Sequence, residues 1–417
     1  MACAWLVYSL NGPLSLNDHG FTIATQARRA DRTALAGALA DARAHTLQHF
    51  QTSRRALGEA NPRVPYRCEL NPPLWELGHI GWFQEWWLAR NPQRGRGTAC
   101  DPAAERASSV LHDADRLYDS SNVPHASRWS LPLPAVQVSL DYLDKTLAAT
   151  LALLAHTADT DEALYFFRLA LFHEDMHNEA AVYMAQSLGF AMDGVAEAMP
   201  GATGVIAVPA GIHETGWTGA GFAFDNELAA HEVSLGAFEI DRSPVTNAQF
   251  MAFVEDTGYD QQRYWSDAGW AWRIQHQQSC PRYVQTQNGR WMRSAFGEMR
   301  SLKSDLPASN LSWHEAQAWC RWAGRRLPTE WEWEHAVLST GLLDWGQVWE
   351  WTSSPFKPYP GFQPHPYRDY SAPWFGTHKV LRGASFATHA RMKHPRYRNF
   401  FTPDRNDIFA GFRSCAL

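Results

Sequence analysis

Cysteine is sparse. The 417 residues hold six, Cys3, Cys68, Cys100, Cys280, Cys320 and Cys415, and no two are spaced as Cys-x-x-Cys. That pattern gives neither a zinc knuckle nor a disulfide framework, so reduced thiols serving as small packing residues are the expectation. Positive charge is lacking too. A net charge of −6 and the absence of any block of like charge argue against a nucleic-acid partner and against a membrane-binding arm. The longest apolar runs fall well short of a membrane span, and the opening Met-Ala-Cys-Ala-Trp-Leu-Val-Tyr has no basic n-region and no convincing cleavage site, which leads us to expect a cytoplasmic protein.

The length suits two or three domains, each with its own core. Near residue 200 the chain changes character. Before it, apolar residues recur at three and four: Leu140, Leu143, Leu147, Leu151 and Leu154 form one stripe, and Phe166, Ala170, His173, His177 and Met184 another. With segments at about 31–52 and 73–90, these predict four main helices and hence a bundle. Two Pro- and Ser-containing stretches, about 91–109 and 119–135, interrupt the pattern and are expected to cover the bundle's end. A linker begins at Met199-Pro-Gly-Ala-Thr-Gly, after which Gly-punctuated, strand-like sequence carries two helices, at about 245–256 and 313–324. Thr246 or Asn247 opens the first. Ser312, three residues before Glu315, opens the second as a capping box. The whole predicts an α+β protein.

The residues that carry chemistry lie in Phe172-His-Glu-Asp-Met-His-Asn-Glu. His173 and His177 are four apart, one helical turn, so two imidazoles face one point as a first-row metal requires. Glu179 is two residues further, roughly 200° around the helix, and cannot reach the same ion. A third ligand must come from another helix. His79, in Trp75-Glu-Leu-Gly-His, shares a face with Trp75, Trp82 and Trp86; Glu76, one turn earlier, is the competing donor. Twenty tryptophans are mostly core, yet they also permit an aromatic cage for a quaternary ammonium group. An Asp225-x-Glu227 pair is weak as a calcium loop.

The segments Phe224-Asp-Asn-Glu, Pro244-Val-Thr-Asn, Arg325-Arg-Leu-Pro-Thr-Glu-Trp-Glu-Trp-Glu, Val348-Trp-Glu-Trp-Thr, Val380-Leu-Arg-Gly-Ala-Ser-Phe and Gly411-Phe-Arg resemble, in this order, the formylglycine-generating-enzyme fold in its ergothioneine-synthase branch. The His173/His177/Glu179 motif, with His79, resembles the DinB-type bundle attached to that branch. The resemblance implies a helical bundle over residues 25–195 and a formylglycine-generating-enzyme domain, C-type-lectin-like in fold, over 205–417. It further implies an Fe(II) enzyme that uses O2 to join sulfur, or in one subgroup selenium, to the imidazole of trimethylhistidine (hercynine), with His79, His173 and His177 as iron ligands.

By the same resemblance Arg398-Asn-Phe-Phe lines the hercynine pocket, with Asn399 as a hydrogen-bonding partner and Phe400 and Phe401 as walls. The loop Trp351-Thr-Ser-Ser-Pro-Phe-Lys-Pro-Tyr then brings Phe356 and Tyr359 to the metal. Two departures follow. Phe356 stands where relatives place a tyrosine able to give a proton, and Met176 stands where some have a glutamine that reaches the imidazole. After Trp86-Trp87 the arginines expected for a γ-glutamylcysteine pocket are not evident: Arg90, Arg94 and Arg96 sit in a Gly/Pro-rich stretch. This favours the subgroup that takes a selenosugar, with a thiol donor such as γ-glutamylcysteine or cysteine as the alternative. A DinB-type zinc hydrolase or thiol transferase and a pure binding module remain as rivals of other classes.

Overall fold

The computed structural model describes residues 20–60 and 62–417. Cys3 and the N-terminal stretch examined for a leader lie outside them. Six helices come first: α1 (Gly20–Arg28), α2 (Arg32–Leu57), α3 (Pro73–Trp87), α4 (Ala114–Tyr118), α5 (Val136–Ala155) and α6 (Asp161–Leu188). The four long ones form the bundle, α2 against α5 and α6, α3 against α5 and α6. Their starts are written locally. Asp31 accepts from Ala34 N at 2.9 Å to open α2, Thr160 accepts from Ala163 N at 3.3 Å to open α6, and Pro73 occupies the first turn of α3, where a missing N–H costs nothing.

Thirteen short strands follow among the described residues. The first sheet runs β1 (Val205–Val208), β4 (Phe238–Asp241), β13 (Cys415–Ala416), β8 (Arg325–Arg326); the second runs β11 (Asn399–Phe401), β10 (Lys379–Gly383), β9 (Trp349–Pro355), β12 (Ala410–Gly411). A hairpin of β2 (Gly211–Thr215) and β3 (His231–Leu235) and a meander of β5 (Val284–Gln287), β6 (Arg290–Ala295) and β7 (Glu298–Ser301) complete the strands. Around them lie α7 (Asn247–Glu255), α8 (Asp267–Gln275), α9 (Trp313–Trp322) and α10 (Glu330–Thr340).

The expected capping box at Ser312/Glu315 is present, and so are two more, Thr246/Gln249 and Thr329/Glu332. Helices α8 and α10 were not anticipated. Their sequences, Asp-Ala-Gly-Trp-Ala-Trp and Glu-Trp-Glu-Trp-Glu, place tryptophans two apart, a strand-like period, which the Ser266 cap and the Thr329/Glu332 box override.

One apolar core runs through both halves of the chain. At the seam, charged and polar groups are paired across it. Arg28 of α1 holds Glu227 bidentately at 2.8 and 2.7 Å, Arg391 holds Asp175 of α6 at 2.6 and 2.9 Å, and Gln186 of α6 bonds to Ser294 O and Phe296 N. Glu227 is thus committed to an arginine, and Asp225 accepts from Ser371 Oγ at 2.5 Å.

Candidate metal centre and flanking cavities

His79, His173 and His177 come together. Each offers one ligand nitrogen, and the three nitrogens lie within 4.8 Å of one another. His173 and His177 face each other across one turn of α6, Nε2 to Nε2 at 3.3 Å. His79 enters from α3, flat against Trp75 with ring centroids 4.9 Å apart. His173 lies flat on Phe83, at 3.5 Å and 2°.

The outer nitrogens are fixed by acceptors. His79 Nδ1–H donates to Tyr118 O at 2.8 Å, and His177 Nδ1–H donates to Glu76 Oε2 at 2.5 Å. A carbonyl and a carboxylate only accept, so both rings carry their proton outside and turn a bare Nε2 lone pair inward. Gly78 makes the first of these contacts possible. A Cβ there would sit 2.1 Å from Tyr118 Cζ, so only glycine lets the α4 segment close on His79.

Glu76 is therefore not a rival ligand but the group behind one. It also accepts from Asn71 Nδ2 at 2.6 Å, and Asn71 in turn accepts from Arg128, whose guanidinium covers the Trp75 ring. Burial is the largest influence and works to raise the Glu76 carboxyl, but His177, His79 and Arg128 together outweigh it and hold the carboxyl below its ordinary value. Burial drives His79 down to about 3 and His173 well below the usual imidazole range. Neutral imidazoles with converging lone pairs repel one another unless a cation lies between them, so these donors fit a divalent first-row ion with open positions.

Glu179 points elsewhere, as its spacing requires. Trp349 Nε1, Ser385 Oγ and Thr388 Oγ1 all donate to it, at 2.7, 2.6 and 2.9 Å.

Met176, Asn399 and Phe401 meet around a cavity of about 110 Å3 that Asp175, Glu179, Trp349 and Tyr397 also line. Asn399 uses its Oδ1 to accept from Phe400 N at 2.9 Å, which leaves its amide N–H groups to donate. Phe400 is on the opposite face of β11, as strand alternation demands, and does not line this cavity.

Three expectations need correcting. Phe400 stacks on Phe356, at 4.1 Å and 10°, and Phe356 is fully buried between it and Phe375. Tyr359 is equally committed. Its hydroxyl donates to Glu330 Oε2 at 3.0 Å and accepts from Arg382 at 2.9 Å, while Arg398 covers its ring. Neither side chain touches the triad. The loop does bring a tyrosine to it, but it is Tyr367, with Tyr370 beyond it at Met176, and the sequence singled out neither. Tyr367 stands edge-on to His173 at 6.4 Å and to Phe83 at 4.9 Å, and among the described residues its hydroxyl has no hydrogen-bond partner. Tyr370 and Tyr397 share a 3.1 Å hydrogen bond, and both approach Met176 Sδ, at 3.9 and 3.4 Å.

The five described cysteines are all free thiols, and none belongs to the triad. Among the described residues no helix is long and apolar enough to cross a membrane.

Comparison with known proteins agrees with this picture. Residues 194–341 and 338–416 match the sulfatase-modifying factor enzyme 1-like domain. A hercynine oxygenase of Mycolicibacterium thermoresistibile is 35% identical, covering 92% of this chain and 94% of its own. The hercynine oxygenase of Mycolicibacterium smegmatis is 32% identical over 92% of this chain and 98% of that one. The formylglycine-generating enzyme of Streptomyces coelicolor is 30% identical over 48% of this chain and 83% of its own, a match that spans about half of the present chain. By length and identity of match, the chain belongs to the hercynine oxygenase family and carries a sulfatase-modifying factor enzyme 1-like domain.

Proposed function

We propose that the chain is an oxygen-dependent non-haem iron enzyme of the cytoplasm that forms a carbon–selenium bond between the imidazole of hercynine and a selenosugar. The observation that carries this reading is the convergence of three imidazoles, two of them protonated on the outer nitrogen, beside a cavity walled by aromatic rings. His79, His173 and His177 would hold Fe(II), and the ion would supply the O2-dependent oxidising power that no side chain possesses.

The protein's own residues do the positioning. Tyr118 O and Glu76 lock two imidazoles so that their lone pairs cannot turn away. The cavity at Met176, Asn399 and Phe401 suits a betaine: the Trp349, Tyr397 and Phe401 rings offer a trimethylammonium group a favourable wall. Asn399 keeps amide N–H donors for a carboxylate or imidazole nitrogen. Tyr367 presents a ring edge-on to His173, and its phenol would take there the role the sequence denied to Phe356.

The test is anaerobic loading with Fe(II), then oxygen with hercynine and one donor at a time: a selenosugar, γ-glutamylcysteine or cysteine. A selenium adduct by mass from the selenosugar alone supports the proposal. A sulfur adduct formed preferentially from a thiol replaces it with the sulfur branch, and no oxygen uptake with any donor removes the iron reading in favour of zinc hydrolysis or thiol transfer.

A further inference from the structure

Helix α2 carries Asp41, His45 and His49 four residues apart, so the three stand on one face, turn above turn. His389 comes to that face from the second half, in the loop between β10 and β11. One ligand atom from each of Asp41, His45 and His389 lies within 4.8 Å of the others, in a group that shares no residue with the triad. His45 Nδ1 is 4.0 Å and His389 Nε2 is 3.6 Å from Asp41 Oδ2. Both separations are too long for a hydrogen bond, and they only modestly exceed the roughly 3.3 Å that two donors keep on one tetrahedral ion. All three side chains are partly exposed, so an ion can reach them from solvent. A cavity of about 220 Å3 opens beside His45, His49 and His389, and Gln48 and Asp193 also line it. His49 stacks along His45, ring centroids 6.5 Å apart at 19°, and among the described residues its buried Nδ1 has no hydrogen-bond partner.

We propose that Asp41, His45 and His389 form a second metal site, for a divalent first-row ion such as zinc, that clips α2 to the second half of the chain. Two imidazoles and one carboxylate are donors that such an ion takes, and the cavity leaves room for water in the remaining position, where the Nδ1 of His49 pairs with it. Burial drives His389 down to about 3 and His49 down to about 4, so both rings are neutral and keep a lone pair. The arginine at this cluster is already shared. Arg391 gives Nη1 to Asp41 Oδ2 at 2.8 Å but Nε and Nη2 to Asp175, so two carboxylates surround one guanidinium. A carboxylate has lone pairs enough for Asp41 to keep Arg391 and still ligate. Lys393 also acts on His389, and its ammonium is turned to Gly346 O at 3.0 Å. Binding through Nε2 places the His389 proton on Nδ1 and gives up the 3.3 Å bond that Nδ1 accepts from Arg391 N. This site stands whichever donor the triad serves.

The experiment counts zinc on the full chain, stripped of metal and free of an affinity tag, by calorimetry and by elemental analysis after dialysis. The parent should bind two equivalents, one at the triad and a weaker one at the seam. His45→Gln and His389→Gln should each lose the weaker equivalent, or weaken it roughly tenfold or more, and keep the other. His173→Ala should do the opposite, losing the tight equivalent and keeping the one at the seam. On that background cobalt(II) gives a second readout: visible absorption from the remaining site, abolished when His389→Gln is added. Because the ion joins α2 to the loop between β10 and β11, zinc beyond the first equivalent should raise the melting temperature of the parent and leave that of His389→Gln unchanged. Melts of the metal-free proteins show that each variant is folded. A single equivalent in the parent, or a second that binds equally well in both glutamine variants, overturns the site. Two equivalents without the rise in melting temperature overturn the clip.

Discussion

Glu76 Oε2 lies 2.5 Å from Nδ1 of His177, and the same carboxylate takes Asn71 Nδ2 on its other oxygen at 2.6 Å. The carboxylate, not the helix alone, decides where the His177 ring faces. Glu76→Gln keeps an acceptor and loses the charge; Glu76→Ala loses both. Metal affinity measured by chelator competition should fall in that order, by about 10- to 100-fold for the alanine variant. Equal affinity in all three proteins would show that the ring needs no such support.

Tyr367 and Phe356 make opposite predictions from one loop. Tyr367→Phe should lower turnover by about 10² or more, with little change in metal content, because it removes the phenol of the ring that stands edge-on to His173. Phe356→Tyr should add no activity. It would bury a hydroxyl against Phe400 and Phe375 and cost about 1–3 kcal/mol of stability, read from chemical denaturation. A gain in turnover from Phe356→Tyr would restore the role inferred from sequence.

Gly78→Ala is expected to act at a distance from its own side chain. The added methyl meets the Tyr118 ring, pushes the Tyr118 carbonyl from His79, and should cost about 1–3 kcal/mol together with weaker metal binding. The same stability loss with unchanged metal affinity would mean that His79 holds its tautomer without Tyr118.

Glu315 supplies a pH prediction remote from the metal. Burial pushes its carboxyl up to about 7, against the opposing hydrogen bonds from Tyr259 and Ser312. The folded protein therefore binds this proton more tightly than the unfolded chain does. Its contribution is fully present below the ordinary carboxylate range and is lost as pH rises through about 7. Glu315→Gln should melt with a shallower decline between pH 5 and 8 than the parent does; parallel curves would refute the shifted carboxyl.

The sequence made much of this legible, for physical reasons that also set its limits. A four-residue spacing fixes a helix face, so His173, His177 and the excluded Glu179 could be placed from the chain alone. Apolar periodicity located all four bundle helices to within a few residues of α2, α3, α5 and α6. Glu76 could be seen beside His79, yet spacing along α3 does not tell a ligand from the acceptor behind a ligand on another helix. The tyrosines were illegible for a different reason. Between β9 and β10 the chain carries Pro358, Pro360, Pro364 and Pro366, a segment with no period, and nothing in its order says that Phe356 turns into the core while Tyr367 turns back to the triad. Several motif residues proved to be scaffold. Glu330, Arg382 and Arg398 form one buried cluster, and Glu350 pairs with Arg413 in another.

Helix α6 carries two unrelated tasks on one rod. His173 and His177 face the bundle's interior, while Asp175, Glu179 and Gln186 are fastened to Arg391, to Trp349 with Ser385 and Thr388, and to β6 and its turn. A rigid rod cannot rotate one of its faces and leave the other still. Whatever loosens the grip of the second half on α6 must also swing the imidazoles, so the docking of the two halves and the aim of His173 and His177 are set by the same rod.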